Sequence, residues 1–331
     1  MTSTPSQKLT AWGTVIYTLE GAIQDFFNAF GGSSVTKSDC DAKAAALVGE
    51  PLIPVPIQGH FSYTVVAGPN QAQIVQFRAA QSKLDIDILN LAMAVHPDFL
   101  PKCTYHGHIG DETSPLHVYV MDKREGLCHF KTRDSSVEGA SAFAARQSQT
   151  VRDLARFFAG AWKQPQQVAP ATAEKMQQDI ENDLKRLAEN LPDRFQAMVK
   201  QVRAGLPNVF ALLPFVLNNG ELSESSILVD KDDGRITGIV DWADAEMSPF
   251  GLSLGGLEAL LGHSRKQKFY FDDNAEQLRC EFRRVFEAEV GGTALSDEVK
   301  HAIRVARMAG MLLTWCFEYD HDMVRQKTIV L

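Results

Sequence analysis

Apolar residues recur at helical spacing near the start of the chain. Ile16, Leu19, Ile23, Phe26 and Phe30 stand three or four positions apart and predict one helix face, ended by Gly31-Gly32-Ser33-Ser34. Prolines at 51, 54 and 56 then predict extended chain leading into strands. Segments 61–66 (FSYTVV) and 74–77 (IVQF) are short and rich in β-branched or aromatic residues, and Gly68-Pro69-Asn70 between them makes a hairpin the simplest reading. Leu84, Ile88, Leu91 and Val95 predict a helix, and 117–121 (HVYVM) a further strand ended by Asp122-Lys123-Arg124-Glu125-Gly126. The region 51–122 is therefore expected to be a small sheet with a helix against it.

The pattern changes in the second half. Segments 151–162, 171–191 and 195–206 predict helices, the middle one with Met176, Ile180, Leu184, Leu187 and Leu191 on one face. Two more helices are predicted over 276–290 and 296–317. Between these groups, 227–230 and 235–241 predict a hairpin turned at Lys231-Asp232-Asp233-Gly234, with glycine where positive φ is needed. A polar loop, 218–226, precedes it. This places two acidic side chains, Glu221 and Asp241, at the two flanks of one hairpin. No segment repeats at a fixed period, which argues against a solenoid. The expected division is an N-terminal helical extension (1–50), a sheet-plus-helix lobe (51–122) and a mainly helical lobe (123–331) carrying the hairpin region 218–242.

Composition narrows the function classes. The 331 residues are 45% hydrophobic and 22% charged, a balance suited to a globular chain. Lys plus Arg is 33 against 41 Asp plus Glu, a net charge of −8, which argues against nucleic acid as a partner. The longest apolar stretch, 209–217, falls well short of the ~20 residues that cross a bilayer, so no membrane partner is expected. Residues 1–9 show no basic region leading into an apolar core. Five scattered cysteines without a C-x-x-C form neither a disulfide framework nor a zinc ribbon. The expectation is a soluble, cytoplasmic protein.

The stretch LNNGELSESSILVD over 217–230, followed by GRITGIVDWADAEMSPFG over 234–251, resembles the aminoglycoside phosphotransferase family, most closely its large fungal branch. Q-F-R at 76–78, V-Y-V-M at 118–121 and L-E-A-L-L-G at 257–262 extend the resemblance, which covers most of the chain from about residue 55. It implies an α+β, bilobal, protein-kinase-like fold: a smaller mixed lobe with the sheet, then a larger helical lobe. It also implies phosphoryl transfer from ATP with magnesium, in which one carboxylate orients the attacking hydroxyl and other oxygen donors hold the metal.

The loop departs from the family pattern H-G-D-L-x-x-x-N. Asn219 stands at the histidine, Glu221 at the catalytic aspartate and Ser226 at the metal-binding asparagine. Asp241, at the principal magnesium aspartate, keeps the expected type. Glu221 carries its carboxylate one C–C bond farther, ~1.5 Å, and a displacement of ~1 Å can lower a rate on the order of 100-fold. Asn219 and Ser226 are also good local hydrogen bonders, able simply to cap the loop backbone. On the nucleotide side, the resemblance implies roles for Arg78 as the basic residue of the third strand, with Asp87 or its neighbour Asp85 as the acidic partner. It also implies a phosphate-covering loop that includes Gly59 and Ser62, and adenine contacts from the linker Met121-Asp122-Lys123. With these departures, ATP and magnesium are weakened as cofactors, and efficient family-type transfer is not expected.

Three other patterns are present in the chain. His106, His108 and His117 could suggest a metal, but no carboxylate or thiol completes the set, so an ordinary loop before a strand is expected. The G-x-S-x-G at 251–255 follows Met247-Ser248-Pro249-Phe250, read as loop, whereas a nucleophile elbow needs a strand running directly into the serine. The basic cluster 265–268 reads as a solvated loop. Three functions follow: a repurposed family member, enzyme or binding protein, taking a small metabolite in the interlobe cleft, with fungal secondary metabolism as a setting; an active phosphotransferase with Glu221 as base and Asp241 as magnesium ligand; or a non-catalytic interaction module.

Overall fold

Thr18 decides where the first long helix starts. Its hydroxyl accepts the Gly21 amide at 3.1 Å, capping the helix so that it begins at Leu19. In the computed structural model the described residues are 8–9, 15–30, 35–133, 140–265, 268–291 and 295–317. The predicted glycine–serine stop at 31–34 lies outside them, as do 266 and 267 of the basic cluster. Ile16, expected on the helix face, instead belongs to a short strand. The contacts divide the chain into two units, Met1–Leu89 with Pro101–Arg124, and Asn90–Leu100 with Glu125–Leu331.

In the first unit β1 (Lys8–Leu9) pairs antiparallel with β2 (Val15–Ile16), followed by α1 (Leu19–Phe30) and α2 (Lys37–Val48). A reciprocal Thr36–Asp39 capping box opens α2. Then come β3 (Leu52–Pro54), β4 (Ser62–Ala67), β5 (Gln73–Ala79), α3 (Ile86–Val95), whose last turns belong to the second unit, β6 (Cys103–Ile109) and β7 (Leu116–Asp122). The main sheet has the order β3-β4-β5-β7-β6 and every pairing is antiparallel. Strand alternation gives it two unlike faces. Tyr63, Val65, Val75, Phe77, Val118 and their neighbours form a buried core with Phe26, Cys40 and Ala44 of the helices. On the other face Ser62 pairs with Arg78 and Arg78 with His117, while Thr64 pairs with Gln76 and Gln76 with Tyr119.

The segment holding His106 and His108 is a strand, not the expected loop. β6 lies at the sheet edge and is largely exposed, so its sequence lacks the apolar alternation that would have marked it. A bulge between Tyr105 and His108, with Gly107 at φ +79°, breaks the spacing further.

The second unit runs β8 (Leu127–Cys128), α4 (Ala140–Lys163), α5 (Pro170–Asn190), α6 (Asp193–Leu212), β9 (Phe215–Asn218), β10 (Ile227–Val229), β11 (Ile236–Ile239), β12 (Glu246–Pro249), α7 (Gly255–Leu260), β13 (Gly262–Arg265), β14 (Lys268–Phe271), α8 (Ala275–Glu289) and α9 (Asp297–Trp315). Helices α4 and α8 pack through Phe158, Trp162, Phe282 and Phe286, with Phe250 between them. Inside this unit Glu258 of α7 is 5% exposed and takes a bidentate Arg279 and a short contact from Arg307. The stretch before Ser253 is strand β12 rather than loop, formed because β9 supplies its pairing partner. The strand ends at Pro249, and Gly251 in the left-handed region separates it from Ser253, so it does not run directly into the serine. Among the described residues, no helix is long and apolar enough to cross a membrane.

Candidate functional site

Topology alone brings two loops together in the second unit. β9 pairs with β12 and β10 with β11, so the loop from β9 to β10 (219–226) must run beside the loop from β11 to β12 (240–245). Three contacts fasten them. The Asn219 side-chain amide donates to the Asp241 carbonyl at 2.8 Å, the Val240 amide donates to the Ser226 carbonyl at 2.9 Å, and Gly220 lies against the Asp244 backbone. Gly220 has φ +87°, and a Cβ there would stand 2.1 Å from the Asp244 carbonyl oxygen. Only glycine permits both that conformation and that approach.

The fastening gathers Glu221, Asp241 and Asp244. Glu221 is an exposed residue whose carboxyl loses part of its hydration to the protein beside it. That desolvation, reinforced by the negative charges of Asp241 and Asp244 and a hydrogen bond with Asp244, raises its pKa to about 7. Asp241 itself adopts φ +60°, an uncommon conformation for a residue other than glycine. Sequence reasoning missed Asp244, although it stands three positions after Asp241 in D-W-A-D, where the second acid was the available signal.

Ser226 is 3% exposed and closes the loop on itself. Its Oγ accepts the Ser223 amide at 2.9 Å and donates to the Ser223 carbonyl at 3.1 Å. Asn219 is 1% exposed, and its Oδ1 has no hydrogen-bond partner among the described residues.

The candidate nucleotide residues lie in the first unit. Arg78 is 6% exposed, with Nε donating to the Ser82 carbonyl at 2.6 Å, Nη2 to the Ser82 hydroxyl and Nη1 to Gln76 Oε1 at 3.2 Å. Asp85 caps α3, accepting the Asp87 and Ile88 amides at 2.9 and 3.2 Å, and Asp87 is exposed in the first turn. Ser62 is buried opposite Arg78, and its amide turns back to the Gly59 carbonyl. The Gln58 amide group locks that loop by bonding the Val55 and Thr64 carbonyls and the Thr64 N–H. Met121 is within β7, and the next two amides are engaged, Asp122 with the Lys102 carbonyl and Lys123 with the Ala72 carbonyl.

A family model described as the phosphotransferase enzyme family matches residues 93–262, just over half of the chain and all of the fastened loops. The chain belongs to this family. Among solved structures, the macrolide 2'-phosphotransferase MphH from Brachybacterium faecium is similar at 14% identity, covering 84% of this chain and 93% of its own, with a TM-score of 0.49. A type VIII aminoglycoside-3'-phosphotransferase matches at 14% identity over 82% and 97%, with a TM-score of 0.47. The phosphotransferase APH(3'')-Id from Streptomyces rimosus, in complex with ADP and streptomycin, matches at 13% over 81% and 96%, with a TM-score of 0.48. No curated protein matches the chain.

Membership in the phosphotransferase enzyme family implies magnesium and a nucleotide, and the residues present can be tested against each. Magnesium is held by one or two carboxylates completed by phosphate oxygens and water. Asp241 suits that role by type, but Ser226 is sealed inside its loop. Among the described residues no group of three His, Cys, Asp or Glu side chains is arranged to hold a metal ion. A triphosphate fits less well. The Arg78 fork is occupied by Ser82 and Gln76, and the amides that follow Met121 are bonded within the sheet.

The same loops rest on a buried aromatic stack that contains a histidine, His96. Trp242 donates its indole N–H to the Ile239 carbonyl at 3.0 Å and lies 5.9 Å from the His96 ring, which stacks on Phe157 at 4.0 Å. Burial lowers the His96 pKa to about 3. Between pH 6.5 and 3 the unfolded chain therefore binds a proton that the folded chain refuses, and stability falls as the pH is lowered through that window. The expected contribution is about 1.4 kcal/mol per pH unit within it. Glu221, with its raised pKa, acts oppositely between about 4.5 and 7, so the His96 contribution is read by difference. Unfolding free energies of the wild type and His96→Leu should diverge on acidification below pH 6.5, and parallel curves would refute the assignment.

Proposed function

We propose that this member of the family takes a small metabolite at Glu221, Asp241 and Asp244 and works by hydrogen-bond capture and acid–base chemistry there, without the magnesium–triphosphate clamp that the family pattern implies. The observation that carries this reading is the gathering of the three carboxylates beside a loop whose Ser226 is turned inward onto Ser223. A cluster of carboxyl groups accepts hydrogen bonds wherever it is ionised and so favours a ligand rich in donors, such as an ammonium group or several hydroxyls. A carboxyl with a pKa near neutrality can take a proton from such a group and return it, which is the requirement for a general acid–base.

Calorimetric titration with ATP, with and without magnesium, tests the reading. No binding is expected at millimolar ATP in either case. Magnesium-dependent binding in the micromolar range would overturn it and favour a second reading, an ATP- and magnesium-dependent phosphotransferase acting on a small-molecule hydroxyl. That second reading is supported by the family match across the fastened loops and by Asp241 at the position of the magnesium aspartate. It requires that ATP turnover vanish in Glu221→Ala.

A further inference from the structure

The fastened loop has a second anchor on its outer side. Glu224 lies midway between Glu221 and Ser226, and Phe130 donates its amide to the Glu224 carbonyl at 3.5 Å. The Glu224 carboxylate faces two basic groups. Oε1 stands 3.5 Å from His129 Nδ1, neither atom making a hydrogen bond among the described residues, and 3.7 Å from Arg133 Nη1. Arg133 is itself tightly held. Its side chain is 11% exposed, Nη2 meets Asp272 Oδ2 at 2.6 Å, and Nη1 donates to the Leu260 carbonyl at 2.9 Å. Asp272 is fixed in turn by Gln147, which donates to the same Oδ2 at 2.6 Å and accepts from Asn274 at 3.0 Å.

We propose that Arg133 is a positioning residue for the site: by pairing with Glu224 while fixed on Asp272 and the Leu260 carbonyl, it sets where the 219–226 loop lies and so where Glu221 meets Asp241 and Asp244. The chain of contacts starts at β14 and the end of α7, runs through one guanidinium and ends on the middle of the loop. Arginine suits this place because its planar fork serves Asp272 and the Leu260 carbonyl at once while presenting charge to Glu224. Lysine keeps the charge but cannot hold all three. The assignment rests on the reading that the 219–226 loop is the working one, but its test needs no substrate.

Hydrogen exchange followed by mass spectrometry on the full chain provides that test. Arg133→Gln should speed exchange of the amides in 219–226 by about tenfold or more, the loss expected when one partner of a largely buried ion pair that holds the loop is removed. Peptides from α5 and α6 should exchange as in the wild type. Arg133→Lys should recover part of the loop's protection, and Asp272→Asn should reproduce the loss. Where Arg133→Gln fails to fold, Asp272→Asn and Arg133→Lys carry the same comparison. Unchanged loop exchange, or equal acceleration in every peptide, would overturn the proposal. Because no ligand enters the experiment, it can fail while the carboxylate reading stands, and the calorimetry can fail while this holds.

Discussion

Replacing Glu258 by alanine is expected to lower the stability of the protein by about 3 kcal/mol, at the lower end of the range for breaking a buried ion pair by removing one partner. Glu258 is 5% exposed and is the common acceptor for Arg279 and Arg307. Alanine would leave both guanidiniums without that carboxylate, in places where their side chains are 21% and 29% exposed. Two features keep the loss from being larger. Arg279 retains the exposed Glu276 at 3.1 Å, and it lies 4.7 Å over the Phe271 ring. Urea unfolding of the variant and wild type measures the difference. A change below about 0.5 kcal/mol, the size typical of surface substitutions, would show that the three groups do not act as a buried pair.

Gly220→Ala should have its largest effect on the site rather than on the whole fold. The left-handed conformation costs an L residue about 1–2 kcal/mol, and the new Cβ would meet the Asp244 carbonyl oxygen at 2.1 Å. The backbone there cannot yield without parting the two loops. Water then reaches Glu221 and the negative neighbours recede, so its pKa should fall from about 7 toward the ordinary carboxylate value of 4.5. Carbon-13 NMR of the labelled Glu221 carboxyl across pH 3–9 reads this directly. A titration still centred near 7 in the variant would mean that the Gly220–Asp244 approach does not create the acidic cluster. Any function that needs a carboxyl poised near neutrality should then shift its pH dependence downward in the same variant.

Much of the fold was legible because its elements are periodic. Strand alternation at Tyr63, Val65, Val75 and Phe77, and the helical spacing of Ile180, Leu184 and Leu187, mark buried faces that the structure reproduces. The elements missed were those whose burial does not alternate. β6 is an exposed edge, and β12 reads Glu-Met-Ser-Pro and exists only as the partner of β9. β14 exposes all four of its residues. The two flanking acids of the hairpin were visible from the sequence, as was the Gly234 turn, which does take positive φ. Asp244 stands in the same D-W-A-D stretch, but its part in the site depends on Gly220 drawing its backbone in. The inward turn of Ser226 onto Ser223 and the Ser82 partner of Arg78 are contacts within a few residues of loop, where no periodic pattern marks which side chain turns inward.

The three carboxylates all come from residues 221–244, one continuous stretch folded back on itself by a single hairpin. Closing a short loop costs little chain entropy, so this segment can reach its arrangement through local contacts. Inherited damage in the distant helices should therefore reduce how many molecules are folded, while the molecules that do fold carry the same acidic cluster. Loss of quantity and loss of chemistry would then separate between variants in α5 and α6 and variants within this stretch or in the residues that fasten it, Gly220 and Arg133.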